Sequence, residues 1–173
     1  MKVIGFSGGG SICELGSVSD VVLFFDCLEM FSKWRYPSEG WSLLTDRLYR
    51  RYLRLEELDA ASELMGRAKI LFSELPVSAV EWNDNFSRDA EKTRLSPSSA
   101  TTLLDVFDKY FSLFFHCAES AKISYDSFKS YPGYQYQPVR VIPTDNPGAM
   151  LEHQRSLNEY DELGPNDLPF WRR

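Results

Sequence analysis

Gly5-Phe6-Ser7-Gly8-Gly9 matches the Gly-x-Ser-x-Gly pattern, in which a sharp strand-to-helix turn exposes a serine to a histidine base and backbone N–H groups surround an oxyanion. The chain has two histidines that could serve, His116 and His153. The residues after Ser7 do not fit the pattern. Gly10-Ser11-Ile12-Cys13-Glu14 reads as a turn and a returning strand, where the nucleophile site requires a helix. His116 stands between Phe115 and Cys117, which reads as a packed core histidine. The glycines are therefore read as a hairpin turn, and a small serine hydrolase using Ser7 is the alternative. The same glycines lack the Gly-Lys-Ser/Thr ending or the helix-opening Gly-x-Gly-x-x-Gly of a phosphate cradle. Cys13, Cys27 and Cys117 lack metal-ligand spacing and sit in apolar surroundings, which reads as small buried hydrophobes in a reducing compartment. Glu14, Glu81, Asp84 and Asp89 include no acid–base pair that spacing alone singles out. No catalytic, cofactor-binding or metal-binding residue is assigned, no cofactor is expected, and the chain is not expected to be an enzyme.

Two charged stretches could bind rather than catalyse. Arg47, Arg50, Arg51 and Arg54, interleaved with Tyr49 and Tyr52, could meet an RNA backbone or an acidic protein patch. The other reading is a solvated helix face paired with Glu56, Glu57 and Asp59. The net charge of −6 argues against nucleic acid as a direct partner and favours a basic one. The second stretch is the tail, with Glu152, Glu159, Tyr160, Asp161, Glu162, Asp167, Phe170 and Trp171. It could dock a basic protein, because opposite potentials speed association and aromatic rings supply buried anchors. Equally, Phe170 and Trp171 could wrap onto their own domain.

The elements that position these residues are set by periodicity. At 173 residues, with 43% hydrophobic and 25% charged side chains, the chain is sized for one core. Lys2–Ser7 and Ser11–Leu15 read as hairpin strands. Ser17, with Asp20 three residues on, caps a helix whose Val21, Phe24, Phe25, Leu28 and Phe31 share a face. Ser42–Leu53 is expected as a second helix, and Leu55 to Leu75, stopped by Pro76, as a third. Val77–Trp82 reads as a short strand, and 83–97 as a surface loop. Ser99 to Lys122, apolar over much of its circumference, reads as a central helix. From Tyr125 the chain is punctuated by prolines, with Gln137–Ile142 as its one strand-like run. The expected fold class is α+β: a small antiparallel sheet with an N-terminal hairpin, packed against about four helices. Residues 1–124 form its main body and 125–173 an irregular, proline-rich extension of the same unit. Neither a signal peptide nor a membrane span is expected, which points to the cytoplasm.

Taken in order, Gly5-Phe6-Ser7, then Glu14-Leu15-Gly16-Ser17 opening a helix with Phe24-Phe25, Gly40-Trp41 before Leu48-Tyr49, Leu75-Pro76 and Val80-Glu81-Trp82-Asn83-Asp84 form a series. Over roughly residues 1–120 the chain resembles a bacterial polymorphic-toxin immunity family, the one catalogued as number seventy, used in contact-dependent growth inhibition (CDI). The resemblance implies a stoichiometric inhibitor that forms a 1:1 complex with its cognate toxin C-terminal domain. That toxin would be a basic nuclease, tRNA-cleaving enzymes included, whose active or substrate-binding site is occluded. Family motifs of this kind are structural and transfer no binding residues. Charge and aromatic character nominate Asp84, Asp89, Glu91, Glu159, Tyr160, Asp161, Glu162 and Trp171 as the toxin-binding set.

Overall fold

A computed structural model describes residues 2–82, 95–145 and 155–173. The N-terminal hairpin forms as the glycines demand. Strands β1 (Val3–Gly8) and β2 (Ser11–Ser17) pair antiparallel, Gly8 opposite Ser11, around a two-residue loop. Gly9 has φ +57° and Gly10 has no positive φ, which is the type II′ arrangement with glycine first. The turn also lies against a helix backbone: a Cβ on Gly8 would fall 2.5 Å from the Cys117 carbonyl oxygen, and one on Gly9 2.4 Å from that of Ser120. No larger residue fits either place.

Helix α1 (Val18–Arg35) opens with the expected reciprocal cap: the Asp20 N–H donates to Ser17 Oγ and the Ser17 N–H to Asp20 Oδ2. Helix α2 (Leu58–Glu74) ends before Pro76, and α3 (Leu103–Phe128) is the long central helix. Strand β3 (Arg140–Pro143) joins the far side of β1, giving an antiparallel sheet ordered β2-β1-β3. Pro143 lies opposite Ile4, while the Thr144 N–H donates to the Val3 carbonyl at 2.7 Å. The odd-numbered residues of β1 therefore bond toward β3 and the even-numbered ones toward β2, so the N–H that Pro143 lacks costs no ladder bond. A short α4 (Leu157–Asp161) comes after it.

The core lies between the sheet and α1, α2 and α3. Phe24 sits at its centre, with ring centroids 4.9–6.3 Å from Phe25, Phe72, Phe107, Tyr110 and Phe111. Most of these pairs are edge-on or tilted, the geometry in which ring quadrupoles attract. Phe6 brings the sheet into the cluster through Phe114.

Several boundaries differ from the sequence reading. Residues 43–48, expected within an α-helix, form a π-helical segment (Leu43–Leu48), and the chain then bridges to Val139 through Leu53. Val77–Ala79 is a 3-10 turn instead of a strand. α3 starts at Leu103 rather than Ser99 because Thr102 and Asp105 repeat the reciprocal cap. Backbone N–H groups of Thr102 and Thr101 hold the Asp105 carboxyl below its ordinary range. α3 also runs past residue 124, and β3 completes the sheet, so the proline-rich extension carries part of the framework.

Candidate interaction surface

Strand alternation decides where Ser7 points. Phe6 and Gly8 face α3, so Ser7 faces the opposite side of the sheet, away from the helix that carries His116. Ser7 is 1% exposed, and its hydroxyl has no hydrogen-bond partner among the described residues. His116 is solvent-exposed, not buried in the core as its neighbours suggested, and its Nε2 lies 3.3 Å from Ser11 Oγ. Ser11 Oγ also lies 3.0 Å from Ser120 Oγ, so the imidazole and the two hydroxyls form one short hydrogen-bonded chain. The nucleophile pattern in the sequence is thus a buried strand serine, and the histidine serves a neighbouring turn. His153 lies outside the described residues.

The three cysteines are free thiols. Cys27 is buried, and burial followed by the nearby Asp26 charge pushes its thiol up to about 12. Cys117 is also pushed up, first by burial and then by Cys13. Both stay protonated and weakly nucleophilic at neutral pH. Among the described residues no group of three His, Cys, Asp or Glu side chains is placed to hold a metal, and no helix is long and apolar enough to cross a membrane.

The arginine stripe and the acidic tail, far apart in the sequence, meet each other. Arg51 donates to the carbonyls of Tyr160 (2.8 Å), Asp161 (3.1 Å) and Leu163. Arg50 donates to those of Asp167 (3.1 Å) and Gly164, and also pairs with Asp46. Arg47 pairs with Glu57, and Arg54 stands 4.0 Å from Asp161. The Tyr52 hydroxyl donates to Asp161 at 2.8 Å; burial and this bond raise its pKa. The Trp171 indole N–H donates to the Tyr49 carbonyl at 2.9 Å. The Arg50 and Arg51 guanidiniums are engaged by the chain's own carbonyls, and those of Arg47 and Arg54 face its own carboxylates.

These contacts sort the nominated residues. Tyr160 and Trp171 are each 1% exposed and belong to the interior, Tyr160 under the Arg140 guanidinium and Trp171 edge-on to Tyr49. As partner contacts they are corrected to structural anchors: burial against the arginine stripe leaves them no surface to offer. Asp161 is engaged by Tyr52 and Arg54. Glu159 and Glu162 are exposed, Glu159 bonded to Arg155 at 2.6 Å. Asp84, Asp89 and Glu91 lie outside the described residues.

The sequence reading overlooked the outer face of α1. Trp34 is 67% exposed and Met30, one helical turn earlier, 54%. Beside them on the same helix lie Asp26 and Glu29, with Lys33 bonded to Glu29 at 2.6 Å. Burial, then the Glu29 charge, raises the Asp26 carboxyl above its ordinary value against a smaller opposing pull from Arg172. The spacing was legible: positions 26, 30 and 34 succeed one another by four, off the Phe24–Leu28–Phe31 face. Scattered exposed apolar side chains are ordinary, but a tryptophan and a methionine stacked one turn apart form a ready anchor. Compared with protein-family models, curated proteins and solved structures, the chain matches none.

Proposed function

We infer that this chain is an immunity protein that binds the toxin C-terminal domain of a contact-dependent growth inhibition system, a basic nuclease, and neutralises it by covering its active or substrate-binding site. The observation that carries the reading is the outer face of α1, where Trp34 and Met30 stand exposed beside Asp26 and the Glu29–Lys33 pair, with Arg35 next to Trp34. An exposed aromatic anchor can fill a partner's pocket, and the net charge of −6 suits a partner whose own groove is basic. The ordered series from Gly5-Phe6-Ser7 to Val80-Glu81-Trp82 supplies the family resemblance. Exposed Glu159 and Glu162 add tail acidity to the proposed contact, and Asp84, Asp89 and Glu91 stay within the proposal on their charge. The serine-hydrolase alternative loses support, because Ser7 is buried on the sheet face turned away from His116.

The test is co-expression with the toxin domain encoded immediately upstream, scoring a 1:1 pull-down and cell survival together. Wild type and Ser7→Ala are expected to rescue growth equally. Trp34→Ala is expected to weaken the complex about 30-fold or more, the loss typical of a central aromatic contact. Rescue lost in Ser7→Ala but kept in Trp34→Ala would overturn the reading.

A further inference from the structure

The hairpin and α3 bring two thiols together. Strand alternation sends Ser11 and Cys13 to the same face of β2, and Ser11 Oγ lies 3.0 Å from Ser120 Oγ on α3. Phe6, paired with Cys13 across the hairpin, meets the Phe114 ring on that helix. A step along β2 from Ser11 to Cys13 therefore matches a step back along α3 from Ser120 toward Phe114. Cys117 lies midway on that path. The glycine turn lets the helix backbone come down onto the hairpin and narrows the gap: the Cys117 carbonyl oxygen lies 2.5 Å from where a Gly8 Cβ would stand. The Cys13 and Cys117 thiols are hydrogen-bonded to each other, and this contact adds to burial in pushing Cys117 up. Both are free thiols, Cys13 half-buried and Cys117 buried. The third thiol, Cys27, is buried on α1.

We propose that Cys13 and Cys117 are a redox pair, which a peroxide closes into a disulfide that clamps β2 to α3. This goes beyond the immunity reading and does not depend on it. Cys13, the thiol that solvent reaches, attacks one peroxide oxygen. The S–O bond forms, the O–O bond breaks, and the sulfur is oxidised to a sulfenic acid as the other oxygen leaves as water. The Cys117 sulfur then attacks the sulfenyl sulfur; the S–S bond forms, and the hydroxyl leaves as water with the Cys117 proton. Across both steps two thiols lose two hydrogens and the peroxide becomes two waters. A dithiol reverses the link. Burial divides the labour: it keeps Cys117 away from the oxidant and, by holding it protonated, slows closure, so the pair answers sustained oxidation and not a brief pulse.

The measurement is exposure of the folded chain to hydrogen peroxide, then digestion after Glu14 and Asp20, which separates Cys13 from Cys27, and mass spectrometry without reductant. The expected product is one intramolecular link between the Cys13 and Cys117 peptides, lighter by two hydrogens and opened by dithiothreitol, with Cys27 still a thiol. The unfolded chain supplies the contrast. In urea, loop closure alone favours Cys13–Cys27 over Cys13–Cys117 roughly 20-fold, because the first two positions are 14 apart and the second two 104 apart. In the folded chain, Cys13–Cys117 should exceed Cys13–Cys27 at least tenfold. Because the link closes a loop of about a hundred residues, the oxidised protein should also melt about 5 °C higher or more. Cys117→Ala should leave Cys13 to go on to the sulfinic acid. Sulfinic Cys13 beside a free Cys117 in the wild-type chain, dimers linked through Cys13, or the same product ratio in urea as in the folded chain would each overturn the pair. A disulfide that lowers the melting temperature would overturn the clamp.

Discussion

The centre of the molecule and its C-terminal segment are held by different physics. Around Phe24 the attachments are rings in contact, non-directional and spread over three helices and the sheet. Residues 160–171 are held by Arg50, Arg51, Tyr52 and the Tyr49 carbonyl, each contact depending on a donor aimed at one acceptor. A core of the first kind spreads a loss over many neighbours. A clasp of the second kind concentrates its dependence in one or two side chains.

The largest effect should come from breaking the first kind. Phe24→Ala leaves a cavity facing five rings and should cost about 3–5 kcal/mol, with helix and tertiary signals melting together. For a chain this long that lowers the melting temperature by roughly 10 °C or more. Two separate transitions would show that the core is not one cooperative unit.

Arg51→Met keeps the apolar stem and removes the donors to Tyr160, Asp161 and Leu163. Its expected cost is about 1.5–3 kcal/mol, with faster amide exchange confined to 157–173. Arg51→Lys should recover less than half, since one ammonium cannot span the three carbonyls. Exchange rising equally in α1 would erase the distinction between the two regions.

Asp26 stands at the seam, on α1 yet within the field of Arg172. Its folded pKa is raised, so the charged form is less welcome in the folded state than in the unfolded one. Stability from this group is therefore full below the ordinary value of 3.8 and is lost as the pH rises through the higher folded value. Asp26→Asn should raise the melting temperature slightly at pH 7, with the gain over wild type vanishing near pH 3. A loss at pH 7 would mean that the Arg172 attraction dominates. Ser7→Ala should be the smallest change, within about 0.5 kcal/mol of wild type or slightly stabilising, since it removes a buried hydroxyl that bonds nothing described. Thermal melts at matched pH check both.

How far the sequence could be read depended on the range of each signal. The glycine turn, the Ser17–Asp20 cap and the α2 stripe are local, and all three form as read. Thr102–Asp105 carries the same cap signal, and α3 begins there, not at Ser99. His116 was legible too: Ser112 and Glu119, at one-turn spacing, define a solvent face, though its immediate neighbours are apolar. The clasp was not legible, because Arg51 and Tyr160 lie 109 residues apart and nothing in either segment names the other. For the same reason the sequence nominates Tyr160 as a partner contact and leaves Trp171 between a partner contact and a wrap onto its own domain, whereas both stand in the interior of the fold.

The strand order has a consequence in time. Among the described strands β1 is the middle one, flanked by the strand made directly after it and by one made more than a hundred residues later, with Phe6 paired to Cys13 on one side and Val141 on the other. A ribosome adding about 5–20 residues per second delivers β3 roughly 7–30 s after β1. Through that interval the nascent chain carries a two-stranded ribbon with a bare inner edge, which α3 can cover on one face but cannot pair. The sheet thus closes only once residues 140–143 have been made, and on the immunity reading proposed above protection would draw on molecules completed before the challenge arrives.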